Sequence, residues 1–177
     1  MQNLQWFAIR VTYSREMKFK AHLDALNIKN FIPMQYKEIL KNGQTQRVLA
    51  PIIHNLVFVL STRQTLDEMK QGKLSLKIPI RYIMDKTHNT PIIISDTEMK
   101  HFIAVCGTMD EQLIYLTKID STLKKGEMVR ITGGIFAGVK GRVVRIKKDH
   151  RVMVLINHVM AVVTAFINPI LLEPVDQ

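Results

Sequence analysis

The chain has 177 residues, 47% hydrophobic and 23% charged, and carries a net charge of +10 from 25 Lys and Arg against 15 Asp and Glu. This composition excludes a disordered chain, and no apolar run approaches the roughly 20 residues that span a bilayer. A single Cys106 cannot form an internal disulfide and is a poor start for a metal site. The opening MQNLQWFAIR lacks a basic region followed by an apolar core, so no secretory signal is expected and a cytoplasmic location is. The positive excess favours a polyanion or an acidic protein surface as partner, against the plainer reading of a basic protein that binds nothing anionic.

Gln5 to Thr12 (QWFAIRVT) is aromatic and β-branched and reads as a strand. Ser14 is placed to cap a helix with Glu16 in its first turn, Phe19, Leu23 and Leu26 forming the buried face, and Asn27 stopping it. Phe31 to Leu40 reads as a strand, Asn42-Gly43 as a hairpin turn and Gln44 to Pro51 as the returning strand. Leu56 to Leu60 (LVFVL) is continuously apolar, as a central strand covered on both faces would be. A short helix over Gln64 to Gln71 follows, then short strands at Arg81 to Met84 and Pro91 to Ile94. Ser95 with Glu98 makes a capping box for a helix that buries Met99, Phe102, Ile103 and Cys106. The order β-α-β-β-β-α-β-α implies an antiparallel α+β sandwich.

Gly107 to Leu123 changes character and reads as a linker with one strand-like piece, Leu113 to Leu116. Beyond Gly126, four β-branched runs (Val129–Thr132, Gly141–Ile146, Val152–Ile156 and Ala161–Phe166) are separated by glycine or polar clusters, which implies a small barrel. The expected organisation is therefore a first domain at 4–106, a linker at 107–122 and a barrel at 123–175. From Lys124 to Lys148 there are eight Lys or Arg and one acid, Glu127.

The nine residues GGIFAGVKG, Gly133 to Gly141, contain four of the eight glycines and invite a test as a phosphate loop. They fail it. Val139 and Lys140 stand where a P-loop needs Lys and then Ser or Thr, and no helix follows to offer its N-terminus. A tight turn between strands is the better reading, with Ile135 and Phe136 packing inward. The six histidines show no metal-ligand spacing, and no nucleophile elbow is present. No catalytic residue, cofactor or metal site is expected.

The segment KKGEMVRITGGIFAGVKGRVVRIKK, with Gly134, Phe136, Gly138 and Gly141 in a G-x-F-x-G-x-x-G pattern, resembles a KOW domain. A chain that opens WFAIRVTYSRE, continues with a helix and the strand NLVFVL, and reaches PIIISDTEMKHFI before its linker is similar to NusG transcription factors over nearly its whole length. IPMQY, HNLVFVL and MKHFI look most like the UpxY-type specialised paralogues of capsular polysaccharide operons. The resemblance implies a NusG N-terminal antiparallel α/β sandwich followed by a KOW β-barrel. It also implies a non-enzymatic elongation and antitermination factor that docks on the clamp helices of the large RNA polymerase subunit and bridges to the opposite gate loop.

Carried over by position, Trp6, Phe7, Asn55, Leu56, Phe58 and Tyr82 would form the polymerase-docking set, with Tyr82 keeping a hydrated hydroxyl. Ser61, Thr62, Arg63, Gln64 and Thr65 would meet the gate loop. Trp6, Leu56 and Phe58 have a second reading as ordinary core of the sheet. Arg142, Arg145, Lys147 and Lys148 would touch nucleic acid or simply form a solvated strand edge. Leu56 and His54 depart from the aromatic and the Pro common in the family, and NHVMAV lacks the aromatic through which housekeeping members meet ribosomal protein or Rho. Nascent leader RNA, non-template DNA and a ribosomal protein are further expected partners, and a monomer is expected. The alternative is a ribosome-associated or general RNA-binding KOW protein.

Overall fold

A computed structural model describes residues 3–118, 123 and 126–175. Two compact units emerge from its contacts: residues 1–33 with 51–96, and residues 34–50 with 97–177.

In the first unit, β1 (Gln5–Val11) is followed by α1 (Glu16–Ala25). Ser14 is not the cap that its position suggested. Tyr13 and Ser14 take left-handed φ values of 58° and 49°, and the Ser14 N–H turns away to donate to Asn55 Oδ1 at 2.7 Å. Phe19 and Leu23 are buried as expected, but Leu26 falls past the last turn and is exposed; Asn27, at φ 55°, ends the helix. The expected strand from Phe31 breaks at Pro33, which has no N–H for a ladder, leaving β2 (Asn30–Phe31) and β3 (Met34–Lys41).

Following β4 (Gln44–Pro51), β5 (Leu56–Ser61) runs between β2 and β1. Val57, Phe58 and Val59 have no exposed surface, each worth about 1.5–3 kcal/mol of burial. Next come α2 (Arg63–Lys70), β6 (Ile80–Tyr82), β7 (Met84–Asp85), β8 (Thr90–Pro91) and β9 (Ile93–Ile94). The sheet order is β2-β5-β1-β6, and β9 also pairs with β1, so β6 and β9 share its outer edge, each matched to a different half. Every pairing in this sheet is antiparallel.

The second unit holds β3 and β4, joined by Asn42 and Gly43, both at positive φ as the two-residue hairpin requires. It also holds most of α3 (Asp96–Cys106), which buries Met99, Phe102, Val105 and Cys106, while Ile103 is only half-buried. The strand-like piece of the expected linker is β10 (Ile114–Leu116). It pairs with the fourth of the strands β11 (Met128–Ile131), β12 (Lys140–Ile146), β13 (Asp149–Ile156) and β14 (Met160–Val163). A final β15 (Leu172–Pro174), absent from the sequence reading, completes the antiparallel order β10-β14-β13-β12-β11-β15. Val144, Met153, Ala161 and Val163 form a buried core against which Ile114 and Leu116 pack. The segment joining the two halves of the sequence thus spends its apolar residues on this sheet.

The run expected to reach Phe166 stops at Val163 because buried Thr164 replaces a ladder contact. Its Oγ1 accepts the Val152 N–H at 3.0 Å and donates to the Ala165 carbonyl at 2.8 Å. Phe166 is left exposed.

Candidate protein-docking and KOW surfaces

Pairing register decides which aromatic side chains can act together. Across β1 and β5, Trp6 faces Leu60, Phe7 faces Val59, Ala8 faces Phe58 and Arg10 faces Leu56. Directly paired residues lie on one face and successive residues alternate. Trp6, Leu56 and Phe58 therefore share one face of the sheet. Phe7 lies on the other, with Tyr82, which pairs with Ile9. The six residues expected to dock do not make one surface.

Burial separates them further. Trp6 and Leu56 are 4% exposed, Phe7 1% and Phe58 0%, so all four belong to the core. Asn55, at φ 66°, starts β5 from the left-handed region that Asn tolerates better than bulky residues. Its carbonyl accepts the Val11 N–H at 3.0 Å. Next to it, Glu16 is buried, with Oε1 3.0 Å from His54 Nδ1. Burial works to raise the Glu16 carboxyl, but the His54 bond and the N–H groups of Glu16 and Asn55 outweigh it and leave the pKa lowered.

Tyr82 is the half-buried member, and its hydroxyl is not simply hydrated. It donates to Asp67 Oδ1 at 2.8 Å and approaches the Arg63 carbonyl at 3.3 Å. Its ring packs on Phe7, centroids 5.7 Å apart and tilted by 57°. Arg63 Cζ lies 5.1 Å and Lys70 Nζ 5.8 Å from the ring centroid, and Arg63 Nε donates to Asp67 Oδ2 at 3.4 Å. Burial, then the Asp67 carboxylate, pushes the phenol well above its usual range, so it remains a neutral donor. Arg63, Asp67 and Lys70 stand at i, i+4 and i+7, which puts them on one face of α2. That spacing was legible in the sequence; its meeting with Tyr82 was not.

Of the expected gate-loop segment, Ser61 is the buried end of β5. Thr62 is the N-cap of α2: its Oγ1 accepts the Thr65 N–H at 3.1 Å and lies 2.9 Å from Thr65 Oγ1. Gln64 leans on Glu68 at 3.3 Å. Arg63 and Gln64 carry the segment's exposed surface.

In the second unit the glycine stretch makes a turn. Gly134 and Gly138 have φ of 77° and 84°, Ala137 N–H donates to the Gly134 carbonyl, and Gly138 N–H reaches the Ile131 carbonyl at 2.7 Å. Phe136 is buried, but Ile135, expected inside, is 68% exposed. Adjacent residues of a tight turn point apart, so only one of the two can enter the core. The expected nucleic-acid residues divide similarly. Arg142 Nη1 is bound to the Gly126 carbonyl at 2.9 Å and Arg145 Nε to His150 Nε2 at 3.2 Å. Lys147 and Lys148 are exposed at the β12–β13 turn.

Among the described residues no cluster of three or more His, Cys, Asp or Glu could hold a metal ion, and no helix is long and apolar enough to cross a membrane. Residues 4–103 match the family profile described as transcription termination factor NusG, and residues 125–157 match the KOW motif. No curated protein matches the chain. A solved structure of NusG from Thermotoga maritima, described for its domain interaction, is similar at 17% identity and a TM-score of 0.46, covering 98% of each chain. The first profile spans more than half of the sequence and the KOW profile follows it, and on these matches the chain belongs to the NusG family of transcription factors.

Proposed function

We propose that this chain is an elongation and antitermination factor that docks on the clamp helices of the large RNA polymerase subunit and promotes processive transcription of a specific operon, of the polysaccharide-biosynthesis kind that UpxY-type paralogues serve. It acts by binding, in the cytoplasm and as a monomer, with residues 4–106 as the docking domain, 107–122 as the connection and 123–175 as the KOW domain. Family membership supports the transcription role. The observation that carries the docking reading is the half-buried Tyr82, backed by Phe7 and flanked by Arg63 and Lys70. An aromatic with a fixed ring and a charged rim is the composition enriched where proteins meet.

In this reading Tyr82 makes the contact, with Phe7 behind it. Trp6, Leu56 and Phe58 shape the strands from the core, and Asn55 sets the start of β5. Arg63 and Gln64 are the parts of 61–65 that can reach a gate loop. Lys147 and Lys148 are the basic residues best presented to leader RNA or non-template DNA; a ribosomal protein is a further partner to test for the KOW domain, and Rho binding is not carried over.

The test is a pull-down of purified RNA polymerase core by wild type and Tyr82→Ala, each checked for folding. Binding that Tyr82→Ala loses supports the reading; wild type that fails to bind core polymerase or a paused elongation complex overturns it. The alternative, an RNA-binding KOW protein, draws on Lys147 and Lys148 and requires tight binding of free RNA without polymerase. Co-purification with Rho at ordinary salt would remove the Rho-free part.

A further inference from the structure

We infer that the surface made by α2 and β6 around Tyr82 receives a carboxylate from an acidic protein surface, with Lys70 as the residue that selects it and Asp67 as a positioning residue. This rests on the docking reading above and names the chemistry at one point of it. Two cations approach one phenol ring, Arg63 at 5.1 Å and Lys70 at 5.8 Å from the centroid. One carboxylate, Asp67, lies between the helix and the ring. It is committed twice, to the Tyr82 hydroxyl at 2.8 Å and to Arg63 Nε at 3.4 Å. Lys70 is exposed and has no ion-pair partner among the described residues. Lys70 therefore stands as an unpaired ammonium beside a ring whose orientation is fixed by Phe7 on its flank and Asp67 at its hydroxyl.

An isolated lysine on a flexible stem would pay a large entropic penalty for ordering. Here the ring gives the exposed ammonium a face to rest on, 5.8 Å from its centroid. A nucleic acid is the poorer fit. It needs a row of free cations at phosphate spacing, whereas α2 offers Lys70 alone here, Arg63 being already bound to Asp67. A single carboxylate on a protein needs one cation and one shared donor, which the cluster has.

The experiment measures affinity of the full chain for RNA polymerase core over a range of salt, with wild type, Lys70→Gln, Lys70→Arg, Asp67→Asn and Asp67→Ala. Lys70→Gln should bind about three- to tenfold more weakly at low salt and show a shallower salt dependence, and Lys70→Arg should restore both. Asp67→Asn keeps an oxygen for the Tyr82 hydroxyl while removing a competing negative charge, so it should bind as tightly as wild type or more so. Asp67→Ala, which releases the ring, should bind less tightly. A purely structural Asp67 would make both variants weaker. Wild-type affinity and salt dependence in Lys70→Gln would overturn the inference while leaving docking intact. A loss by Lys70→Gln confined to free single-stranded RNA or DNA would overturn it in favour of nucleic acid. Failure of wild type to bind polymerase strikes the docking reading itself, and the inference falls with it.

Discussion

Gly141 and Gly134 both belong to the KOW signature, yet the structure gives them different reasons for being glycine, and substitution by alanine separates the two. A Cβ on Gly141 would lie 2.5 Å from the Met153 carbonyl oxygen and 2.7 Å from Val152 Cγ1. Ordinary carbon contacts start near 3.4 Å, so β12 and β13 would have to part by about 1 Å where Arg142 pairs with Met153. The obstacle is backbone, which cannot rotate away. Overpacking costs about 1–3 kcal/mol, and a clash with backbone places this case at the upper end. At Gly134 a Cβ meets nothing within 4 Å, and the cost is that of φ 77° alone, about 1 kcal/mol. Urea unfolding followed through amide signals of β12 and β13 would measure both, avoiding the assumption that the two units unfold together. Gly141→Ala should lose at least twice the stability that Gly134→Ala loses. Equal losses would refute the close-approach argument, because both residues would then be explained by turn conformation.

Removing the Tyr82 hydroxyl by Tyr82→Phe should cost about 1 kcal/mol in chemical denaturation, because Asp67 loses its closest donor while the ring stays on Phe7. Glu16→Gln should destabilise the protein by about 1–3 kcal/mol at pH 7, since a buried carboxylate 3.0 Å from His54 Nδ1 loses its charge. The Glu16 pKa is lowered on folding, so its contribution is complete above the unfolded value of 4.5 and is lost as pH falls through the folded value; the gap between wild type and Glu16→Gln should close over that acid range in denaturation curves. Cys106 is 2% exposed, and burial pushes its thiol up to about 12. A thiol reagent at pH 8 should leave the folded protein unmodified and react promptly in denaturant; rapid labelling of the native state would contradict this burial.

Much was legible in the amino-acid sequence because the signals are local. LVFVL announced a buried central strand, Asn42-Gly43 a two-residue hairpin and the spaced glycines the KOW turn, since each depends on side-chain periodicity or on backbone freedom at one residue. Errors arose where a local signal was overridden or left undecided by geometry beyond it. Ser14 is a good N-cap by composition, but Asn55, 41 residues away, takes its N–H. Ile135 and Phe136 are equally apolar, and only the geometry of the turn chooses Phe136 for the core. The short β15 carries too little pattern to be seen without β11 beside it.

By itself the sequence determined two strand-rich modules, their order, the family and the absence of any recognisable catalytic motif, because periodicity, glycine spacing and motif identity are properties of neighbours along the chain. Tertiary structure alone decided which functional candidates can cooperate. The period of two in β1 and β5 sends Trp6, Leu56 and Phe58 to one face and Phe7 to the other, and register brings Tyr82 beside Phe7. The helix period sets Arg63, Asp67 and Lys70 in a row, but only packing of α2 against β6 lays that row on the ring of Tyr82. Such a site is made by distances between segments, and those distances follow from pairing and burial across the whole sheet.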